Sequence, residues 1–178
     1  MKGTPQHYLL GLGSNLGERA EILAQAIKGL SRLPGVRILA ISTAVDSDPV
    51  GYADQPNFLN LCLALSCDSN PDELLALTLE IERQLGRERT SNRNGPRTLD
   101  IDLLFYEGGV WSSPTVTLPH PRWSSRGFVV FPLRNLLQDP VLAKVPAWVS
   151  LAAEVRSLSL GGEGLRAWQG PTPWSKTP

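Results

Sequence analysis

Cysteine is scarce: the 178 residues contain two, Cys62 and Cys67, five apart inside an apolar run. Neither a C-x-x-C pair nor a His/Cys metal spacing occurs, which excludes a cysteine-built zinc centre and a disulfide framework. An odd spacing puts two residues on opposite faces of a strand, so both thiols are expected to be buried and free, as in a cytoplasmic protein. An excess of charge is missing as well, since 17 basic and 17 acidic side chains leave a net charge of zero. General binders of nucleic acid or membrane surfaces carry a broad basic excess, so that class is set aside. No apolar run approaches the roughly 20 residues that cross a bilayer. The opening Met1-Lys2-Gly3-Thr4-Pro5-Gln6-His7 is polar, unlike a signal peptide. Internal repeats and a second domain are absent too. The length predicts one domain with a sizeable core. It is placed at 1–160, followed by a weakly ordered Gly-, Pro- and Trp-containing tail over 161–178.

What is present reads as alternating strands and helices. Tyr8-Leu9-Leu10-Gly11-Leu12-Gly13 predicts a short buried strand, broken at Ser14-Asn15-Leu16-Gly17-Glu18. Ile22, Leu23, Ala26, Ile27, Leu30 and Leu33 then recur at helical spacing up to Pro34-Gly35. The glycines Gly11, Gly13 and Gly17 do not have dinucleotide-fold or P-loop spacing. They are either a tight strand-to-helix turn or a place where backbone approaches a ligand. A second strand over 36–43 leads into a turn-rich loop, Asp46 to Pro56. A third strand, Asn57 to Leu65, puts Phe58, Asn60 and Cys62 on one face. Asn60 is either satisfied by backbone or positioned to read the edge of a heterocycle. Asn70-Pro71-Asp72-Glu73 is a helix start with cap, proline and capping-box Glu. Leu74, Leu77, Thr78, Ile81 and Leu85 form the stripe of that helix, and Gly86 ends it. Glu82, in its last turn, is either a surface partner for an arginine or a nucleotide-facing group.

The most informative stretch follows: Gly95-Pro96-Arg97-Thr98-Leu99-Asp100-Ile101-Asp102-Leu103-Leu104-Phe105. From Leu99 it alternates apolar and acidic, so Asp100 and Asp102 stand on one strand face about 6.6 Å apart. Like charges this close need a compensating cation, and a hard divalent ion such as Mg²⁺ suits them. Arg83, Arg87, Arg89, Arg93 and Arg97 precede the pair within fifteen residues. Carboxylates beside arginines are what phosphate transfer requires, because positioning and charge neutralisation supply most of its catalysis. A solvated strand face after a basic loop is the plain alternative. The order strand, helix, strand, strand, helix, strand predicts an α+β fold of ferredoxin-like β-α-β-β-α-β type, with helices on one face of an antiparallel sheet. Glu107-Gly108-Gly109 then turns a hairpin. It is followed by Thr115 to Leu118, a Pro119-His120-Pro121-Arg122 loop, the apolar run Phe128 to Leu133, and short helical pieces. His120 could be solvent-facing, structural or functional.

Five strings occur together in this order: Gly11-Leu12-Gly13-Ser14-Asn15-Leu16-Gly17; Pro49-Val50-Gly51; Asp54-Gln55-Pro56-Asn57-Phe58-Leu59-Asn60; Gly95-Pro96-Arg97-Thr98-Leu99-Asp100-Ile101-Asp102; and Leu118-Pro119-His120-Pro121 with Arg126-Gly127-Phe128-Val129. Together they resemble the 6-hydroxymethyl-7,8-dihydropterin pyrophosphokinase family of folate biosynthesis, from about Tyr8 to Pro140. The resemblance implies transfer of pyrophosphate from ATP to the pterin hydroxymethyl group, releasing AMP. It implies that Asp100 and Asp102 hold two Mg²⁺ ions, and that Arg87 and Arg97 act with them in catalysis. Glu82, Arg89, Arg97, Leu103, Thr117, His120 and Arg126 are implied as the ATP side. Ser47, Pro49, Val50, Gly51, Phe58, Asn60 and Phe128 are implied as the pterin side, with the two phenylalanines sandwiching the ring. Asn94 stands where well-known members carry tryptophan. Loops 46–56 and 83–96 are expected to close over the substrates, and a monomer is the default. Two rivals are a phosphotransferase giving ADP, and a sheet that binds RNA through aromatics. Neutral charge and the acidic pair speak against the second.

Overall fold

A computed structural model describes residues 4–51, 53–87, 95–159 and 164–176. Its elements in chain order are β1 (Gln6–Ser14), α1 (Arg19–Ser31), β2 (Arg37–Ile41), β3 (Val45–Ser47), β4 (Phe58–Cys67), α2 (Pro71–Gln84) and β5 (Asp100–Tyr106). They continue as a small hairpin of β6 (Trp111–Ser112) and β7 (Thr117–Leu118), then α3 (Gly127–Leu136), α4 (Pro146–Ser157) and β8 (Arg166–Ala167). The main sheet runs β5-β1-β4-β3-β8, with β2 also beside β4, and every described pairing is antiparallel. The strand expected over 36–43 is β2, and a further short strand that the sequence reading does not include, β3, follows at the start of the expected loop, both laid along β4.

Local chemistry accounts for the elements. The α2 start is the expected capping box: Glu73 N–H donates to Asn70 Oδ1 at 3.0 Å, and Asn70 N–H donates back to Glu73 Oε2 at 2.9 Å. Gly86, at φ +82°, takes the left-handed conformation that closes the helix. Alternation along the strands sends Leu10, Leu12, Leu61, Leu63, Ile101 and Leu103 to one face, where Leu23, Ile27 and Leu30 of α1 and Leu74 and Ile81 of α2 bury them. Burial of this area is the main stabilising contribution, at about 25 cal/mol per Å².

The opposite face differs from expectation. Helices were predicted on one side only, but the apolar run after the Pro119 loop is α3, and α3 and α4 pack on Leu9, Cys62, Ala64, Leu104 and Phe105. A register shift between Leu9 and Leu10 in the β1–β5 ladder makes this possible, with Leu9 opposite Phe105 and Leu10 opposite Leu103. The bulged residue puts Leu104 and Phe105 in the same cluster. Its Leu104 carbonyl accepts the His120 N–H at 2.8 Å, which ties the loop before α3 to the sheet. This second layer covers only part of its face. The uncovered part is a cleft.

The tail is also a correction. Of the stretch left as weakly ordered, residues 164–176 are docked: β8 extends the sheet beside β3, and Trp174 is buried against α1. Among the described residues, no helix is long and apolar enough to cross a membrane.

Candidate active site

The cleft floor is the sheet itself. Gly11 and Gly13 of β1 face Asp102 and Asp100 of β5 on one side, and Cys62 and Asn60 of β4 on the other. Side chains on that face would fill the space, and the two glycines leave it open. A Cβ at Gly13 would stand 2.7 Å from Asn60 Oδ1, and one at Gly11 would stand 3.4 Å from Leu104. The Asn60 side chain thus leaves no room for a Cβ at Gly13, while Gly17, at φ +66°, makes the turn. The cleft has a volume of about 280 Å³. That is at the small end of ligand sites, which run to roughly 300–1,000 Å³, and it suits one flat bicyclic group.

One wall is aromatic and amide-bearing. Phe58 and Asn60 rise from β4, Ser47, Asp48, Val50 and Gly51 come from the β3 end and its loop, and Phe128 enters from the α3 start. Asn60 is buried and donates Nδ2–H to Ser47 Oγ at 2.9 Å, which fixes the plane of its amide. The other wall is charged. Asp100 accepts from Arg87 at 2.7 Å and from Arg97 at 2.9 Å, and Asp102 accepts from Arg126 at 3.0 Å. Arginines thus balance the charge of the aspartate pair as it stands. Burial and the neighbouring Asp100 push the Asp102 carboxyl above its ordinary pKa, against the pull of His120 and Arg126. Burial pushes the His120 imidazole down.

Glu82 is the expected arginine partner, but a buried one rather than a surface one. It is buried on the α2 side of β5, accepting the Ile101 N–H at 2.7 Å and pairing with Arg87 at 2.5 Å. Burial raises its pKa to about 7 despite those two partners. Arg87 is thus shared between Glu82 behind the sheet and Asp100 in front of it.

Of the residues singled out, Ser47, Val50, Gly51, Phe58, Asn60, Arg97, Asp100, Asp102, Arg126 and Phe128 line one cleft. Pro49 lies in the same loop, while Arg87 reaches the site through Asp100. Leu103 and Thr117 are not brought there. Leu103 is buried toward α1 and α2, and Thr117 is exposed, paired with Ser112 in the hairpin. Arg89 and Asn94 lie outside the described residues, as does the whole stretch 88–94. Several residues have no role in the sequence reading, Asp48 of the cleft lining among them. Arg122 and Ser125 line the cleft, and their proximity to Arg126 in sequence was the available signal. Asn15 joins three loops: its Nδ2 donates to Gln55 Oε1 at 2.9 Å and Pro56 O at 3.0 Å, and its Oδ1 accepts the Arg97 N–H at 2.8 Å.

Paired strand carboxylates, converging arginines and two phenylalanines lining one cleft define a small-molecule phosphotransferase. Comparisons with known proteins narrow that class. The family model described as 7,8-dihydro-6-hydroxymethylpterin-pyrophosphokinase (HPPK) matches residues 9–138. A 2-amino-4-hydroxy-6-hydroxymethyldihydropteridine pyrophosphokinase of Bacillus subtilis is 37% identical over 160 residues, covering 90% of this chain and 89% of its own. Its namesake in Methylorubrum extorquens is 43% identical over 133 residues, 75% of this chain and 84% of its own. A Plasmodium falciparum HPPK-DHPS crystal structure superposes over 93% of this chain with a TM-score of 0.62 at 12% identity. That likeness speaks to the fold, and this chain spans about half (49%) of that longer one. The chain belongs to the 7,8-dihydro-6-hydroxymethylpterin-pyrophosphokinase family, whose reaction is pyrophosphoryl transfer to the hydroxymethyldihydropterin in folate biosynthesis, with ATP as co-substrate.

Proposed function

We propose that the cleft is where this transfer takes place, with the pterin ring between Phe58 and Phe128 and the triphosphate over Asp100 and Asp102. The supporting observation is the meeting of both halves on one sheet face: the Asn60–Ser47 amide wall and the arginine-neutralised aspartate pair line the same space. Asn60 and main-chain groups of the Ser47–Gly51 loop read the ring edge. Arg87 and Arg97 leave Asp100 for the transferred group, while Arg126 and His120 attend the phosphates, and Arg89 is assigned there with them. Glu82 acts at one remove, holding Arg87 and the start of β5. Any nucleotide contact of Leu103 or Thr117 lies outside the cleft.

The reaction forms a bond from the hydroxymethyl oxygen to the β-phosphorus and breaks the bridge to the α-phosphorus. AMP departs with the bonding pair, and the hydroxyl proton is released. Asp100 and Asp102 would hold Mg²⁺, two ions by the family resemblance. Held by two carboxylates, such an ion would keep water and substrate phosphate oxygens as its other ligands. When bound, the metal supplies neutralisation of the triphosphate charge. Burial of the slot keeps water from the reacting phosphate. We take the protein to act as a cytoplasmic monomer. Its free cysteines are buried, and among the described residues the exposed large apolar side chains, Val50, Val110, Val141 and Val149, are scattered valines.

The test is to incubate the protein with ATP, Mg²⁺ and the reduced hydroxymethylpterin and to separate the nucleotides. AMP that forms only with pterin is expected, and Asp102→Asn should lower its rate at least about a hundredfold, the scale on which one charge-stabilising group acts. ADP as product, or near wild-type turnover in that variant, would overturn the assignment.

A further inference from the structure

Residues 164–176 lie beyond the 9–138 that the family model matches, yet they are fitted to the wall of the cleft. Backbone pairing sets Ala167 opposite Val45 and Arg166 opposite Asp46, and the Trp168 N–H donates to Ala44 O at 3.2 Å. The Arg166 guanidinium donates to Asp46 Oδ1 at 2.8 Å and to Asp48 Oδ1 at 2.6 Å. Asp46 is also bound by Arg19 at 2.8 Å and by Asn57 Nδ2 at 3.1 Å, and Arg19 lies 5.3 Å from the Trp168 ring centre. Gly164, at φ +55°, passes so close to Asp48 that a Cβ there would stand 2.0 Å from its carboxylate. The far end is anchored by Trp174, buried against α1.

Asp46 and Asp48 flank Ser47, the residue that holds the Asn60 amide, and Asp48 itself lines the cleft. Burial alone would raise the Asp46 pKa. The hydrogen bonds from Arg166 and Arg19 outweigh it and hold the carboxyl below its ordinary value, so those bonds favour the charged form.

We propose that residues 164–176 are a strap that positions the pterin-side wall of the cleft, with Arg166 as the positioning residue acting through Asp46 and Asp48. This rests on the pterin assignment of Asn60 and Ser47 above. Arg166 is not itself part of the cleft lining and reaches it through Asp48. It biases the 46–51 segment toward the arrangement in which Ser47 and Asn60 are in register, so its removal lowers the fraction of molecules ready to take up pterin and leaves the chemical step alone. Because the Arg166 side chain is 49% exposed, its two ion pairs are screened and the effect is modest.

The experiment compares wild type, Arg166→Ala, Arg166→Lys and Asn60→Ala by steady-state kinetics. Pterin is varied at saturating ATP, ATP is varied at saturating pterin, and thermal unfolding is followed in parallel. The expected result for Arg166→Ala is a pterin KM raised about three- to fivefold, with kcat and the ATP KM unchanged. Arg166→Lys should recover part of that loss. An unchanged pterin KM in Arg166→Ala, or a fall in kcat with no change in KM, overturns the proposal. Asn60→Ala separates the two levels. If it raises the pterin KM while Arg166→Ala does not, the strap fails and the pocket stands; if neither does, the pterin assignment falls with it.

Discussion

Gly13→Ala is the sharpest single perturbation of this site. The added methyl would stand 2.7 Å from Asn60 Oδ1, closer than the 3.0 Å below which real Cβ contacts essentially never fall. Gly13 is not among the left-handed glycines, so backbone strain does not enter and the effect is steric. Asn60 cannot simply retreat. Ser47 holds its amide at 2.9 Å, and β4 is clamped between β1 and β3. Overpacking of this kind costs about 1–3 kcal/mol, and loosening the Asn60–Ser47 hydrogen bond adds about 1 kcal/mol. Of the total, the part that displaces the amide, roughly 1.4 kcal/mol, appears as a tenfold rise in pterin KM. The remainder, about 0.6–2.6 kcal/mol, appears as a Tm lower by roughly 1–10 °C. The assay is initial-rate AMP formation at saturating ATP, with calorimetry for Tm. In an Asn60→Ala background the methyl has nothing to displace, so Gly13→Ala should then leave the pterin KM where Asn60→Ala alone puts it. Full additivity of the two substitutions, or a normal pterin KM in Gly13→Ala, would refute the reasoning.

Two other perturbations test the frame around the cleft. Asn15→Ala removes three side-chain hydrogen bonds and leaves the Arg97 N–H without its acceptor. Urea unfolding should show a loss of roughly 2–4 kcal/mol, and a loss under 0.5 kcal/mol would show that the three loops hold together without it. Glu82 gives a pH signature. Its carboxyl is raised from 4.5 to about 7, so between those values the folded state binds the proton more tightly than the unfolded chain does. Its contribution to stability is therefore greatest below the unfolded value and declines as pH rises toward 7, by roughly 3 kcal/mol across the window. Glu82→Gln, which keeps an acceptor for the Ile101 N–H, should flatten that slope in denaturant midpoints measured from pH 4.5 to 8. An identical slope in the variant would assign the dependence to another group.

The sequence pattern revealed most of what local periodicity encodes. Alternation separated Asp100 and Asp102 from Ile101 and Leu103, and the capping residues marked the α2 start to the residue. The same alternation already turned Leu103 away from the aspartate face, so its transfer from the family resemblance conflicted with the strand's own period. Other features depended on contacts far apart in the chain. The α3 run carries β-branched residues and an internal Pro132 with no side-chain cap, so neither period stands out there. Glu82 could not be resolved between surface and cleft, because its burial depends on β5 docking against the end of α2. β8 has two residues, too few for any pattern, and Arg166 meets Asp46 across 120 positions of sequence. The strap was therefore invisible to any reading of local composition.

β8 has a consequence for association between molecules. The outer side of β3 would otherwise present a row of unpaired N–H and C=O groups beside the substrate loop, the sort of rim on which a second polypeptide can add a strand. The protein's own tail already occupies it from Val45 to Asp46. On the neighbouring stretch, β2 is five residues long and begins with an exposed arginine, Arg37, both of which discourage strand addition. A second copy could add a strand beside Val45 and Asp46 only by displacing β8.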